Sequence, residues 1–224
     1  QATQPKAWEA LEKNHGSKAA DTLLARLREQ LDQRGTLDVL RHGVELLGLK
    51  SPLLLAQFKP ALAINQEILD RYGKNRLRIV RQVRYSLHSE NCLDLVLFLN
   101  GVPVATAELK TDFTQSIADA IDQYRFDRDP KPKGQAAEPL LSFPNGALVH
   151  FAVSNREVHM VTKLEGAKTT FLPFNQGDHG APGNPVNPNG AHYRLLDEAS
   201  RCMFAFQRAM EQLGISDKVT TFTA

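Results

Sequence analysis

Residues 91–110, N-C-L-D-L-V-L-F-L-N-G-V-P-V-A-T-A-E-L-K, allow few folds. Positions 93–99 form a short, almost unbroken apolar run, which suits a central strand covered on both faces. Asn100-Gly101 is the strongest short hairpin signal in the chain, and 102–110 reads as the return strand. Three charges interrupt this buried hairpin: Asp94, Glu108 and Lys110. Charged side chains inside a sheet need a partner or a job.

Register decides whether those charges meet. Side chains alternate along a strand, so Glu108 and Lys110 share a face. A strict two-residue loop would pair Leu99 with Val102 and put Asp94 and Glu108 on opposite faces. A three-residue loop, with Gly101 as a left-handed bulge residue, pairs Phe98 with Val102. Asp94 then lies diagonal to Glu108, roughly 7–8 Å away at the backbone. A shared site therefore requires a bulged turn, or a bulge within one strand.

Two juxtaposed carboxylates repel unless a cation separates them or one keeps its proton. Their oxygens suit Mg²⁺, which commonly takes one or two carboxylates and retains several waters. Lys110 can point at the same spot, to orient or deprotonate an attacking water and to stabilise developing negative charge. Phosphodiester hydrolysis fits such a set. The competing interpretation is a structural ion cluster in which Lys110 pairs with Asp94 and Glu108.

Asp94 followed by Glu108-Leu109-Lys110 resembles the PD-(D/E)xK nuclease motif, with Leu93 where proline often stands. The surrounding segments are more specific. Gln82-Val83-Arg84-Tyr85-Ser86, Leu93-Asp94-Leu95-Val96-Leu97-Phe98, Asn100-Gly101-Val102-Pro103, Ala107-Glu108-Leu109-Lys110 and Asp119-Ala120-Ile121-Asp122-Gln123-Tyr124-Arg125 occur in that order. Downstream come Leu148-Val149-His150-Phe151-Ala152-Val153 and Phe171-Leu172-Pro173-Phe174-Asn175. Together, over roughly residues 43–190, they resemble the N-terminal nuclease region of the restriction (R) subunit of type I restriction–modification enzymes. The resemblance implies a Mg²⁺-dependent endonuclease acting on double-stranded DNA. Asp94, Glu108 and the Leu109 carbonyl would be its metal ligands, and Lys110 would complete the catalytic set. It also implies modification and specificity subunits as partners, and a longer subunit with an ATP-driven motor. ATP would serve that full-length subunit only. No G-x-x-x-x-G-K-[ST] occurs here, so this chain is expected not to hydrolyse ATP and to be a fragment. Many relatives carry Q-x-x-x-Y on the next helix. Here Gln123 is followed four residues later by Asp127, and the tyrosine is the adjacent Tyr124. Gln123 and Tyr124 are nonetheless the DNA-contacting candidates on that helix, with Gln123 as an ordinary border residue the alternative.

The 224-residue chain is long enough for a substantial core. Its net charge of +2 confines any DNA contact to a local patch. The candidate patch is residues 71–84, where Arg71, Lys74, Arg76, Arg78, Arg81 and Arg84 place six cations in fourteen residues. Arg76, Arg78 and Arg84 are the phosphate-contacting candidates. An edge strand blunted by charge explains the same run. Cys92 and Cys202 form no metal knuckle, and a reducing cytoplasm is expected. No apolar stretch is long enough to span a membrane.

Residues 1–50 read as a helical part, with one helix over 18–34 presenting Ala19, Leu23, Leu24, Leu27 and Leu31, and another over 36–47 ended by Gly48. Glu9, Glu29 and Glu45 are possible acidic additions to the site, each better explained as a solvated position. The nuclease core spans 51–175, with a helix over 60–74 opened by Pro60 and one over 114–128 capped by Thr114. Two strands lie at 147–153 and 157–164. An irregular Gly/Pro/Asn loop covers 176–192, where Asp178-His179 reads as loop rather than metal ligand. A C-terminal helix and linker occupy 193–224. Pattern and resemblance agree on an α/β fold: a restriction-endonuclease-like three-layer core with a central mixed sheet flanked by helices. Two rivals to the nuclease are a non-catalytic DNA-binding or subunit-docking module, in which Asp94, Glu108 and Lys110 only hold the hairpin, and a Mg²⁺ phosphohydrolase with a closed pocket.

Overall fold

The structure, a computed structural model, describes residues 3–174 except 87, 112, 113, 155 and 156. The loop expected at 176–192, with Asp178-His179, and the C-terminal helix and linker expected over 193–224 lie outside the described residues.

Three helices open the described chain: α1 (Pro5–His15), α2 (Ala19–Arg34) and α3 (Thr36–His42). Their shared core is Leu11, Ala19, Val39, Val44, Leu46 and Leu53. The second of the expected helices stops early. Gly43, at φ 79°, ends α3 by donating to the Val39 carbonyl, and Val44 then bridges to Leu53. A side chain at Gly43 would put its Cβ 2.6 Å from the Leu53 carbonyl oxygen, so both the turn and the close approach need glycine. Leu24, expected on the apolar face, is 51% exposed. α4 (Gln66–Gly73) also starts later than Pro60 suggested. Asn65 caps it by accepting from the Ile68 N–H at 3.2 Å.

The sheet has six strands in sequence order: β1 (Leu77–Arg84), β2 (Cys92–Leu99), β3 (Val102–Leu109), β4 (Val149–Val153), β5 (Val158–Val161) and β6 (Leu172–Pro173). Only β3 and β4 run parallel, so the sheet is mixed. α5 (Ile117–Asp122) lies in the crossover between those two strands and runs into a wider π-type turn, Gln123–Asp127. Its cap is Ser116, not Thr114. A capping box joins Ser116 and Asp119.

Each face of the sheet has its own core. Leu77, Ile79, Leu95, Leu97, Leu99, Ala105, Ala107, Phe151 and Val153 pack with Leu40 and Ala56. On the other face, Val96 and Ala152 pack with Ala120, Tyr124, Leu141, Leu164 and Phe171. The helical layer is fastened to the sheet layer at Thr36. Its N–H donates to the Pro144 carbonyl, and its hydroxyl lies 2.9 and 2.7 Å from the Asn145 and Gly146 carbonyls.

The hairpin turn is a tight two-residue one, Leu99 opposite Val102, with Asn100 at φ 51° and Gly101 at φ 92°. Further along, Leu97 pairs with Ala105 although Phe98 pairs with Pro103. Val104 is therefore an extra residue on β3, a bulge within the strand.

Candidate functional site

The bulge sets the site. From Leu97–Ala105 onward the pairing runs Val96–Thr106 and Leu95–Ala107. Continued by one residue, it places Asp94 directly across from Glu108, on one face of the sheet. Without Val104's extra residue, the tight turn would have left the two carboxylates on opposite faces.

Glu108 is fully buried. Its Oε1 accepts from Arg128 Nε at 2.7 Å, whereas Oε2, also buried, receives no donor among the described residues; when protonated, the carboxyl hydrogen-bonds to Asp94. Arg128 is itself buried, and its second contact is the Cys92 carbonyl at 2.9 Å. Loss of water pushes the Glu108 carboxyl up to about 8. Arg128 works against that shift and Asp94 adds to it.

Asp94 is gripped from both sides. Its Oδ2 accepts from the Leu109 N–H at 2.8 Å and its Oδ1 from Gln82 Nε2 at 2.9 Å. Lys110 N–H donates to the Val153 carbonyl, so Leu109, one residue earlier, turns its backbone groups towards β2 and Asp94.

Lys110 follows β3 directly, but its ammonium makes no ion pair among the described residues and its field is felt by Asp119. The expected lysine partner of Glu108 is thus replaced by Arg128. Gln123 opens the π-type turn, with its Oε1 buried and unpartnered. Tyr124 corrects the DNA-contact expectation: it is fully buried, and its hydroxyl lies 2.7 Å from Thr106 Oγ1, which also meets His150 Nδ1 at 2.8 Å. It is a core residue.

Arg78 and Arg84 are exposed on β1, the edge strand, with exposed Arg76 just before it, and Arg84 pairs with Glu90 at 2.6 Å. Glu29 pairs with Arg26, and Glu45 uses its carbonyl to hold Arg26 and Gln30. Among the described residues, neither reaches the hairpin through a hydrogen bond. No group of three or more His, Cys, Asp or Glu side chains able to hold a metal occurs among the described residues. The available oxygen donors are the Asp94 and Glu108 carboxylates and the Leu109 carbonyl, a hard set of the size Mg²⁺ accepts. A buried oxygen on Glu108 that receives no donor and a facing carboxylate both fit a cation between them.

Gln82 and Arg128 were missed in the sequence. Arg128 lies twenty residues beyond Glu108 at the end of an irregular turn, where no periodicity points. Gln82 is an unremarkable polar residue on an arginine-rich edge strand.

A mixed sheet flanked by helices, with two carboxylates facing each other across its central hairpin, defines a restriction-endonuclease-like fold. The family model described as type I restriction enzyme R protein N terminus matches residues 2–169, and the chain belongs to that family. No curated protein and no solved structure matches it. Among the described residues no helix is long and apolar enough to cross a membrane.

Proposed function

We propose that this chain is a Mg²⁺-dependent endonuclease domain that hydrolyses DNA phosphodiesters, acting in restriction of unmodified DNA. The observation that carries this reading is the Glu108 carboxylate. It is buried, is pushed up to about 8, has one oxygen that receives no donor and faces Asp94 across a bulged register.

Asp94, Glu108 and the Leu109 carbonyl would hold Mg²⁺, which when bound supplies charge neutralisation and a more acidic water. Lys110 orients the attacking water and stabilises the negative charge of the pentavalent transition state. Arg128 yields Glu108 to the cation. Gln123 contacts DNA beside the scissile phosphate, and the β1 arginines contact the backbone. Double-stranded DNA is the substrate, with modification and specificity subunits as partners, after ATP-driven translocation by a motor elsewhere in the subunit. Lys110→Ala is expected to lower cleavage by about 10²–10⁴-fold while DNA binding persists. Plasmid cleavage and gel-shift assays on the assembled enzyme check it.

The Arg128–Glu108 hydrogen bond at 2.7 Å favours one rival, a non-catalytic module held together by that cluster. A Mn²⁺-soaked crystal separates the two. The nuclease predicts an anomalous peak between Asp94, Glu108 and the Leu109 carbonyl, lost in Asp94→Asn. The rival predicts no peak, with Arg128 still closed on Glu108 and restriction intact in Asp94→Asn.

A further inference from the structure

β1 is regular except at one residue. Its pairing with β2 is continuous from Leu77–Leu99 to Arg81–Leu95, skips Gln82, and resumes at Val83–Leu93. Gln82 has φ 50°, one of two described non-glycine residues with positive φ. A non-glycine residue held there inside a strand costs about 1–3 kcal/mol and persists only where its surroundings impose it. The residue it should face in the ladder is Asp94. The kink removes Gln82 from backbone pairing and its side chain goes to Asp94 instead, with Nε2 on Oδ1 at 2.9 Å. The amide is fixed this way round because the Asp94 carboxylate oxygen only accepts, and the Gln82 Oε1 is then left to receive the Cys92 thiol at 3.5 Å. The Leu109 N–H takes Oδ2. Each Asp94 oxygen therefore spends one lone pair on a fixed donor and keeps a second that faces Glu108, whose protonated carboxyl hydrogen-bonds to Asp94 in the metal-free chain.

We infer that Gln82 is a positioning residue: its kinked backbone delivers an amide that, with the Leu109 N–H, locks the Asp94 carboxylate in the orientation from which it grips a divalent cation beside Glu108. This rests on the metal-site reading above. Residues that orient a ligand typically carry a 10–100-fold share of metal affinity. Gln82 is solvent-exposed, which places its share at the lower end.

Gln82→Gly and Gln82→Asn test it in the whole chain. Both residue types accept positive φ, so the kink survives, but neither reaches Asp94. Two readouts are taken: Mn²⁺ affinity by calorimetry, and hydrogen exchange of the Leu109 amide by NMR. Both variants are expected to melt at or above the wild-type temperature, to bind Mn²⁺ about tenfold more weakly, and to exchange the Leu109 amide faster because its acceptor has come loose. Wild-type Mn²⁺ affinity and wild-type Leu109 exchange in both variants would overturn the inference and make the kink only a guard on the sheet edge. If the wild-type chain binds no Mn²⁺, the metal reading fails and the role in cation binding goes with it. Leu109 exchange still decides whether Gln82 holds Asp94.

Discussion

Among the described residues, Glu108 and His150 are buried groups with large shifts, and their titrations act on stability in opposite directions. Burial raises the Glu108 carboxyl from 4.5 to about 8 and lowers His150 from 6.5 to about 3. Stability rises with pH wherever the unfolded chain binds more protons than the native one. For His150 that holds between pH 3 and 6.5, because the unfolded imidazole is protonated there and the native one is not. For Glu108 the native state holds the extra proton between pH 4.5 and 8, so stability falls across that range. The two slopes cancel between 4.5 and 6.5. The metal-free chain should therefore be most stable on that plateau, and lose stability from pH 6.5 to 8 and again below 4.5. Thermal melts over a pH series check this. Cation binding needs the ionised Glu108, so Mn²⁺ affinity should climb about tenfold per pH unit up to pH 8 and then level off. Removing the Asp94 charge should move the Glu108 titration down, visible in the carboxyl ¹³C shift of Asp94→Asn.

At the scale of elements, the hairpin shows what was legible and what was not. Asn100-Gly101 announced a tight turn, and Asn100 occupies it for a stated reason. Its Oδ1 accepts from the Arg76 N–H at 2.7 Å, and its Nδ2 donates to the Leu55 carbonyl at 2.8 Å and to Asn75 Oδ1 at 3.1 Å, all from a positive φ. Asn100→Ala loses those bonds and strains the backbone, and should cost about 2–3 kcal/mol in urea denaturation. Asn100→Gly loses only the bonds and should cost about half as much. Mn²⁺ affinity should be unchanged in both, since the turn lies at the far end of the hairpin from Asp94. The bulge was demanded by the chemistry but could not be placed. Its marker is Pro103, which lacks an N–H and yet sits in β3, a strand with neighbours on both sides. Helix boundaries at Gly43 and Asn65 were missed for a different reason. Gly43 is dictated by the Leu53 backbone from another element, which local sequence does not reveal.

For the whole molecule, topology explains why the acidic half of the site could be read and its basic half could not. Asp94 and Glu108 lie on neighbouring strands of one hairpin, so sequence spacing brings them together once a single bulge residue is allowed for. Arg128 reaches Glu108 only because the crossover through α5 returns along the same sheet face before β4. The same topology puts β1 at the sheet edge, which leaves two explanations for its arginines. Salt dependence of DNA binding distinguishes them. Each phosphate contact contributes about 0.9 to the slope of log K against log[salt]. Arg76→Ala should flatten that slope by about 0.9 if the strip lies on the DNA backbone. Arg84→Ala should flatten it less, because Arg84 must first leave Glu90. An unchanged slope, with variants that associate at high concentration, would show that the charges only keep the edge from pairing with another sheet. Binding by this chain should in either case be weak at physiological salt, because a net charge of +2 supplies little long-range attraction for the duplex.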